Sequence, residues 1–91
     1  MGVGRRGVAP LEVEVALTLR QDIVETAARE ARVHGWRPDA AGLASWLAKS
    51  RVAGACAARH AMTQAEMNDA VDGMDFARLV AAVQRNLQQN R

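Results

Sequence analysis

The chain has 91 residues, enough for one domain and too few for two, because the fraction of surface buried on folding falls as chains shorten. Apolar residues make up 49%, but many are alanine and only Trp36, Trp46 and Phe76 are aromatic, so the core is thin and a protein partner or second copy is expected to help cover it. A net charge of +2 is too modest to mark nucleic acid as the partner by itself, one cysteine excludes an intrachain disulfide, and no run approaches the roughly 18 apolar residues of a membrane span.

Residues 1–9 hold three glycines with Arg5 and Arg6, which predicts a flexible basic arm whose arginines can touch phosphate. The segment lacks the apolar core of a signal peptide, and with a lone thiol this fits a reducing setting, the cytoplasm or, in a eukaryote, the nucleus. Residues 10–91 read as a single helical domain. Within it, residues 11–19 are ambiguous. Leu11, Val13, Val15, Leu17 and Leu19 take every odd position, as in a half-buried strand, whereas Pro10, Glu12 and Glu14 suit a helix start. Helix is preferred, since an isolated strand must find a partner for its backbone.

From Asp22 the pattern is helical, with Ile23, Ala27 and Ala31 at four-residue spacing and Gly35 at the place of a left-handed cap. Asp39 is a good N-cap for the next helix, whose stripe is Leu43, Trp46, Leu47 and Ser50. Beyond Ser50 the stripe shrinks to Gly54, Ala57 or Ala58, and Ala61, and Gly54 is where the helix is expected to bend or stop. Thr63 to Glu66 form a capping box that starts a short helix burying Met67, Ala70 and Val71 and ending near Gly73. Asp75 caps the last helix, with the stripe Phe76, Leu79, Val80, Val83 and Leu87. Acids cluster in residues 63–76 and arginines in 77–91, as in two complementary helices or an acidic face for a basic partner.

His34, His60 and Cys56 are the only imidazoles and thiol, and nothing in their order spaces them for zinc. Cys56 and His60 lie four apart on one helix face, a geometry open to a thiolate–imidazole pair, but a buried thiol beside a surface histidine is the simpler reading. Glu66, Asp69, Asp72 and Asp75 read as a solvated face, without the loop glycine or closing glutamate of a calcium loop. No phosphate-binding glycine loop, nucleophile elbow or paired catalytic acids occurs, so neither an enzyme, a cofactor, a metal nor a small-molecule substrate is expected. Trp36 and Trp46 are the candidates for a partner-binding surface, with Leu79 and Val83 on the last stripe; Trp46 sits in a core stripe and Trp36, beside a helix end, is the more exposed.

From Val13 to Leu47 the chain resembles the ribbon-helix-helix family of dimeric DNA-binding proteins: Val15 to Leu19 would be the strand, Ile23, Ala27 and Ala31 the first helix, and Gly35 the turn. That resemblance implies a homodimer on duplex DNA, with Glu14, Ala16 and Thr18 facing bases and Arg5, Arg6 and Arg20 supporting the contact. Over most of its length the chain is also similar to the small helical adaptor subunit shared by the SAGA coactivator and the nuclear mRNA-export complex. A helix running into Gly35-Trp36, the Thr63 capping box and the amphipathic helix from Phe76 to Leu87 carry that likeness, without the family's connection before the last helix. It implies a scaffold that wraps a partner helix and binds no DNA. The expectation is therefore an all-α domain of about four helices, with a short N-terminal strand as the dimeric alternative, acting by binding in gene regulation or a DNA-associated assembly. Arg5, Arg6, Thr18 and Arg20 are its DNA-contacting candidates.

Overall fold

A computed structural model describes the backbone of residues 2–89 and the side chains of residues 17–89. Among the described residues there are five helices: α1 Gly2–His34, α2 Ala40–Lys49, α3 Arg51–Arg59, α4 Gln64–Asp72 and α5 Phe76–Gln89. The all-α class holds. The helix preferred at residues 11–19 forms as part of α1, so the alternative of a short strand there is corrected, and the helices number five rather than about four.

The first correction follows from periodicity. Val15, Leu19, Ile23, Ala27 and Ala31 recur every fourth residue, so the residues that alternate like a strand also extend the stripe of the helix after them. From Leu19 onward that stripe is buried. Pro10 and the expected arm boundary after residue 9 fall inside the span of α1, beyond the described side chains.

The second correction turns on Ser50. It takes an extended conformation, its N–H donates to Trp46 O at 2.9 Å to close α2, and its Oγ accepts from Val52 N at 3.1 Å to open α3. One serine thus serves as C-cap and N-cap, and the break comes four residues before the expected one at Gly54. Gly54 instead lies inside α3 under Gln64: a Cβ there would stand 3.2 Å from Gln64 Oε1. Gln64 Nε2 in turn donates to Leu47 O at 2.8 Å and Ser50 O at 3.1 Å, satisfying carbonyls at the end of α2.

The other caps follow the sequence. Asp39 Oδ1 accepts from Gly42 N at 2.8 Å, the Thr63–Glu66 capping box is complete, Asp75 Oδ1 accepts from Arg78 N at 3.3 Å, and Gly35 ends α1 with φ +69°. Helix α1 packs on α3 and α5, α2 packs on α3, α4 and α5, and α3 packs on α4. Between them Ile23, Leu43, Cys56, Met67 and Leu79 are almost wholly buried. The buried face of α3 is Ala53, Cys56 and Ala57, small residues that let α1 approach closely; Ala58 and Ala61 of the expected stripe are exposed. No ion pair joins α4 to α5 among the described residues, so their opposite charges do not act as a matched pair; Arg78 bonds its own neighbour Asp75 at 3.4 Å.

Candidate functional site

Two features stand apart from simple packing. The first is built by the return of the chain after α1. Gly35 turns it in the left-handed region, and residues 36–39 lie back over the first turn of α2 so that Trp36 stacks on Trp46, ring centroids 6.3 Å apart and planes 25° from parallel. Gly42 permits this path, because a Cβ there would collide with the Arg37 carbonyl oxygen and stand 3.1 Å from its carbon. The Pro38 carbonyl is tied to α5 by Gln84 Nε2 at 2.8 Å. The result is a surface groove of about 310 Å³ lined by Trp36, Gly42, Ser45, Trp46, Lys49 and Ser50. Trp46 is 6% exposed and Trp36 half-buried, and neither buried indole N–H has an acceptor among the described residues. An unsatisfied buried donor costs about 1–3 kcal/mol, and an indole can only donate. Lys49 is exposed at the groove and forms no ion pair among the described residues.

The second feature joins α1 to the end of α3. Asp22 receives a two-pronged hydrogen bond from Arg59, Nη2 to Oδ1 at 2.9 Å and Nε to Oδ2 at 3.0 Å. Thr26 Oγ1 donates to Asp22 Oδ1 at 3.0 Å, and His60 Nε2 lies 2.9 Å from Oδ2, where it must carry the hydrogen because a carboxylate only accepts. The Arg59 bond, aided by His60, Thr26 and the guanidinium charge, holds the Asp22 carboxyl well below the usual carboxylate range against the opposing effect of burial. Beneath them Cys56 is fully buried, and burial, with the charge of Asp22, pushes its thiol up to about 11. The carboxylate–imidazole–thiol sequence has the composition of a nucleophilic triad, but a covered thiol that stays protonated is not set up to attack. A shallow pocket of about 230 Å³, lined by Thr18, Gln21, Asp22, Glu25 and His60, opens onto the polar rim.

The residues singled out from sequence are dispersed. Trp36 and Trp46 do come together. Leu79 and Val83 are 0% and 1% exposed, packed in the chain's own core, so their surface is not on offer to a partner. Thr18 is exposed over the Asp22 pocket, whereas Arg20 lines a different one with Leu17, Met74, Asp75 and Arg78, so the two do not form one surface. Arg5 and Arg6 lie outside the described side chains. Sequence reasoning missed Asp22, Arg59 and Gly42. Asp22 and Arg59 are 37 residues apart and carry no local signature, while the i, i+4 spacing of Cys56 and His60 was the visible part of their cluster.

Comparison with protein-family models, with curated proteins and with solved structures finds no match. No described helix is long and apolar enough to cross a membrane.

Proposed function

We propose that this chain is a non-enzymatic helical binding module, an adaptor that receives a segment of a protein partner in the groove over Trp36 and Trp46. The observation that carries the reading is the pair of stacked indoles that line an open groove beside Lys49, which forms no ion pair among the described residues. Tryptophan is enriched among residues that dominate binding energy, and a stacked pair offers a broad, rigid apolar contact. The chemistry fits a short segment with one apolar side chain for the indole floor and one acidic side chain for Lys49. Setting such a module in a gene-regulatory or DNA-associated assembly of the cytoplasm or nucleus remains the functional context, with a second copy of the chain as the competing occupant.

Selection of displayed random peptides on the immobilised protein tests this. Both tryptophans of the chain lie at the groove, so emission excited in the indole band reports occupancy directly. Enriched peptides should share an apolar anchor next to Asp or Glu, shift the emission, and lose at least about tenfold in affinity on Lys49→Glu, roughly 1.4 kcal/mol. Peptides that bind Trp36→Ala and Lys49→Glu as well as the parent would sink the reading.

Duplex DNA is the second reading. Arg29 and Arg32 share a face of α1 in a groove with Glu25 and Asn86, and neither arginine is paired with a carboxylate among the described residues. It predicts affinity that falls steeply with salt and weakens when Arg29 and Arg32, or Arg5, Arg6 and Arg20, become alanine.

A further inference from the structure

The donor atoms of Asp22, Cys56 and His60 all lie within 4.8 Å of one another, with Cys56 fully buried as the floor and Asp22 and His60 at the rim. We propose that these three side chains form a binding site for a divalent first-row transition cation of the zinc class, with a water from the shallow pocket beside Thr18 and Gln21 as the fourth ligand.

The donor set is a thiolate sulfur, an imidazole nitrogen and a carboxylate oxygen, which zinc accepts together and which hard cations such as calcium do not. Geometry is close to what is required. Bonds of about 2.0–2.3 Å in a tetrahedron place donors roughly 3.3–3.8 Å apart, so the widest separation closes by about 1 Å while His60 Nε2 and Asp22 Oδ2, 2.9 Å apart, open slightly, both side-chain adjustments. Cys56 lies in α3 and His60 is the C-cap of that helix one turn on, so one backbone element presents both, and Asp22 closes the set from α1. The surrounding bonds resemble the outer support of a metal site. Arg59 and Thr26 hold the Asp22 carboxylate in place and together take both lone pairs of Oδ1, while Oδ2 keeps one beyond its Arg59 bond, the one that His60 occupies in the metal-free protein.

In the metal-free protein His60 spends its Nε2 hydrogen on Asp22 Oδ2. Binding breaks that hydrogen bond and the S–H bond of Cys56. The cation forms bonds to Sγ, to the His60 Nε2 lone pair after its hydrogen moves to Nδ1, and to Asp22 Oδ2. One proton leaves to buffer from the thiol, and no electron is transferred. The thiolate and carboxylate together offset the dication, while the Arg59 guanidinium keeps its bonds to Asp22 and lies close enough to Cys56 to favour the thiolate. The site is distinct from the indole groove and stands or falls without the adaptor reading.

The test is titration of the purified chain with cobalt(II), which reports a thiolate in a tetrahedral site through a near-ultraviolet sulfur-to-cobalt charge-transfer band and visible ligand-field bands. We expect one cobalt per chain, displaced by zinc, with a proton released from the Cys56 thiol for each ion bound. Cys56→Ala, which replaces the thiol by a small apolar group in an alanine-rich interface, should keep the helical circular dichroism and lose the band entirely. His60→Gln should weaken zinc by about 100-fold or more, and His34→Ala should change nothing. Absence of the charge-transfer band in the parent chain overturns the proposal, as does zinc affinity unchanged in Cys56→Ala and His60→Gln. The parent titration needs no variant, so its outcome decides the matter even where a substituted chain fails to fold.

Discussion

Replacing Gly42 with alanine sets two physical arguments against each other with opposite signs. Gly42 is the third residue of α2, where helix propensity alone predicts that Gly→Ala stabilises by about 1 kcal/mol. Its new Cβ, however, would collide with the Arg37 carbonyl oxygen, and Asp39 Oδ1 would be 3.2 Å away. These are backbone and cap atoms, so relief requires the segment 36–39 to lift. Lifting it loosens the Asp39 cap, worth about 1 kcal/mol. It also strains the Pro38–Gln84 bond and the Trp36–Trp46 stack, and overpacking of this kind costs about 1–3 kcal/mol. After the propensity gain the net is a loss of about 1–3 kcal/mol, a sizeable share of the 5–15 kcal/mol that holds a domain folded. For a chain of this size that lowers Tm by roughly 4–24 °C. Urea unfolding followed by circular dichroism, with tryptophan emission as second probe, measures it. A midpoint equal to or above the parent's would refute the close approach and with it the packing that forms the groove.

Further substitutions probe other joints. Ala61 sits at φ +57° just past α3, a left-handed conformation that costs a Cβ-bearing residue about 1 kcal/mol, so Ala61→Gly should leave stability equal or raise it by up to about 1 kcal/mol in a thermal melt, and a loss would contradict that backbone. The Asp22 carboxyl is held below its unfolded value of about 3.9, so its contribution is present above about pH 4 and is lost as pH falls through the lower folded value. Asp22→Asn should therefore lower the urea midpoint at neutral pH by the equivalent of about 1–2 kcal/mol, and the gap from the parent should narrow towards pH 2; a constant gap would mean the charge is not what matters. With the Cys56 thiol pushed up to about 11 and covered, alkylation of the folded metal-free chain at mild alkaline pH should run at least about 100-fold slower than in urea, and prompt labelling would place the thiol at the surface.

What the sequence discloses and what it hides divides by range. Asp39, Gly35, Asp75 and the Thr63–Glu66 box act within one turn of chain, so their side chains and spacing identify them before any fold is known. Ser50 was legible only as a member of an apolar stripe: its two capping bonds are local, but Gln64, fourteen residues on, takes carbonyls that the break leaves at the end of α2, and that contact has no sequence signature. Leu79 and Val83 form so clean a stripe that periodicity cannot say whether the chain or a partner covers it; packing of α5 on α1 and α2 answers that. The constraint at Gly42 and the joining of Asp22 to Arg59 and His60 were invisible, since one depends on where the Arg37 carbonyl passes and the other on α1 meeting the end of α3. The stretch 11–19 was ambiguous for a different reason: its odd-position alternation and its fourth-residue stripe overlap, and only the second continues through Ala31.

The most direct test of the adaptor reading is a proton–nitrogen correlation spectrum of the labelled chain during titration with a selected acidic, apolar-anchored peptide. The two tryptophans give two indole N–H signals that need no other assignment. Occupancy of the groove predicts that both move as the surroundings of their rings change, together with the amides of Ser45 and Lys49, while those of Ala53 and Val71 in the core stay in place. Binding that leaves both indole signals fixed and shifts α1 and α5 instead would contradict the account.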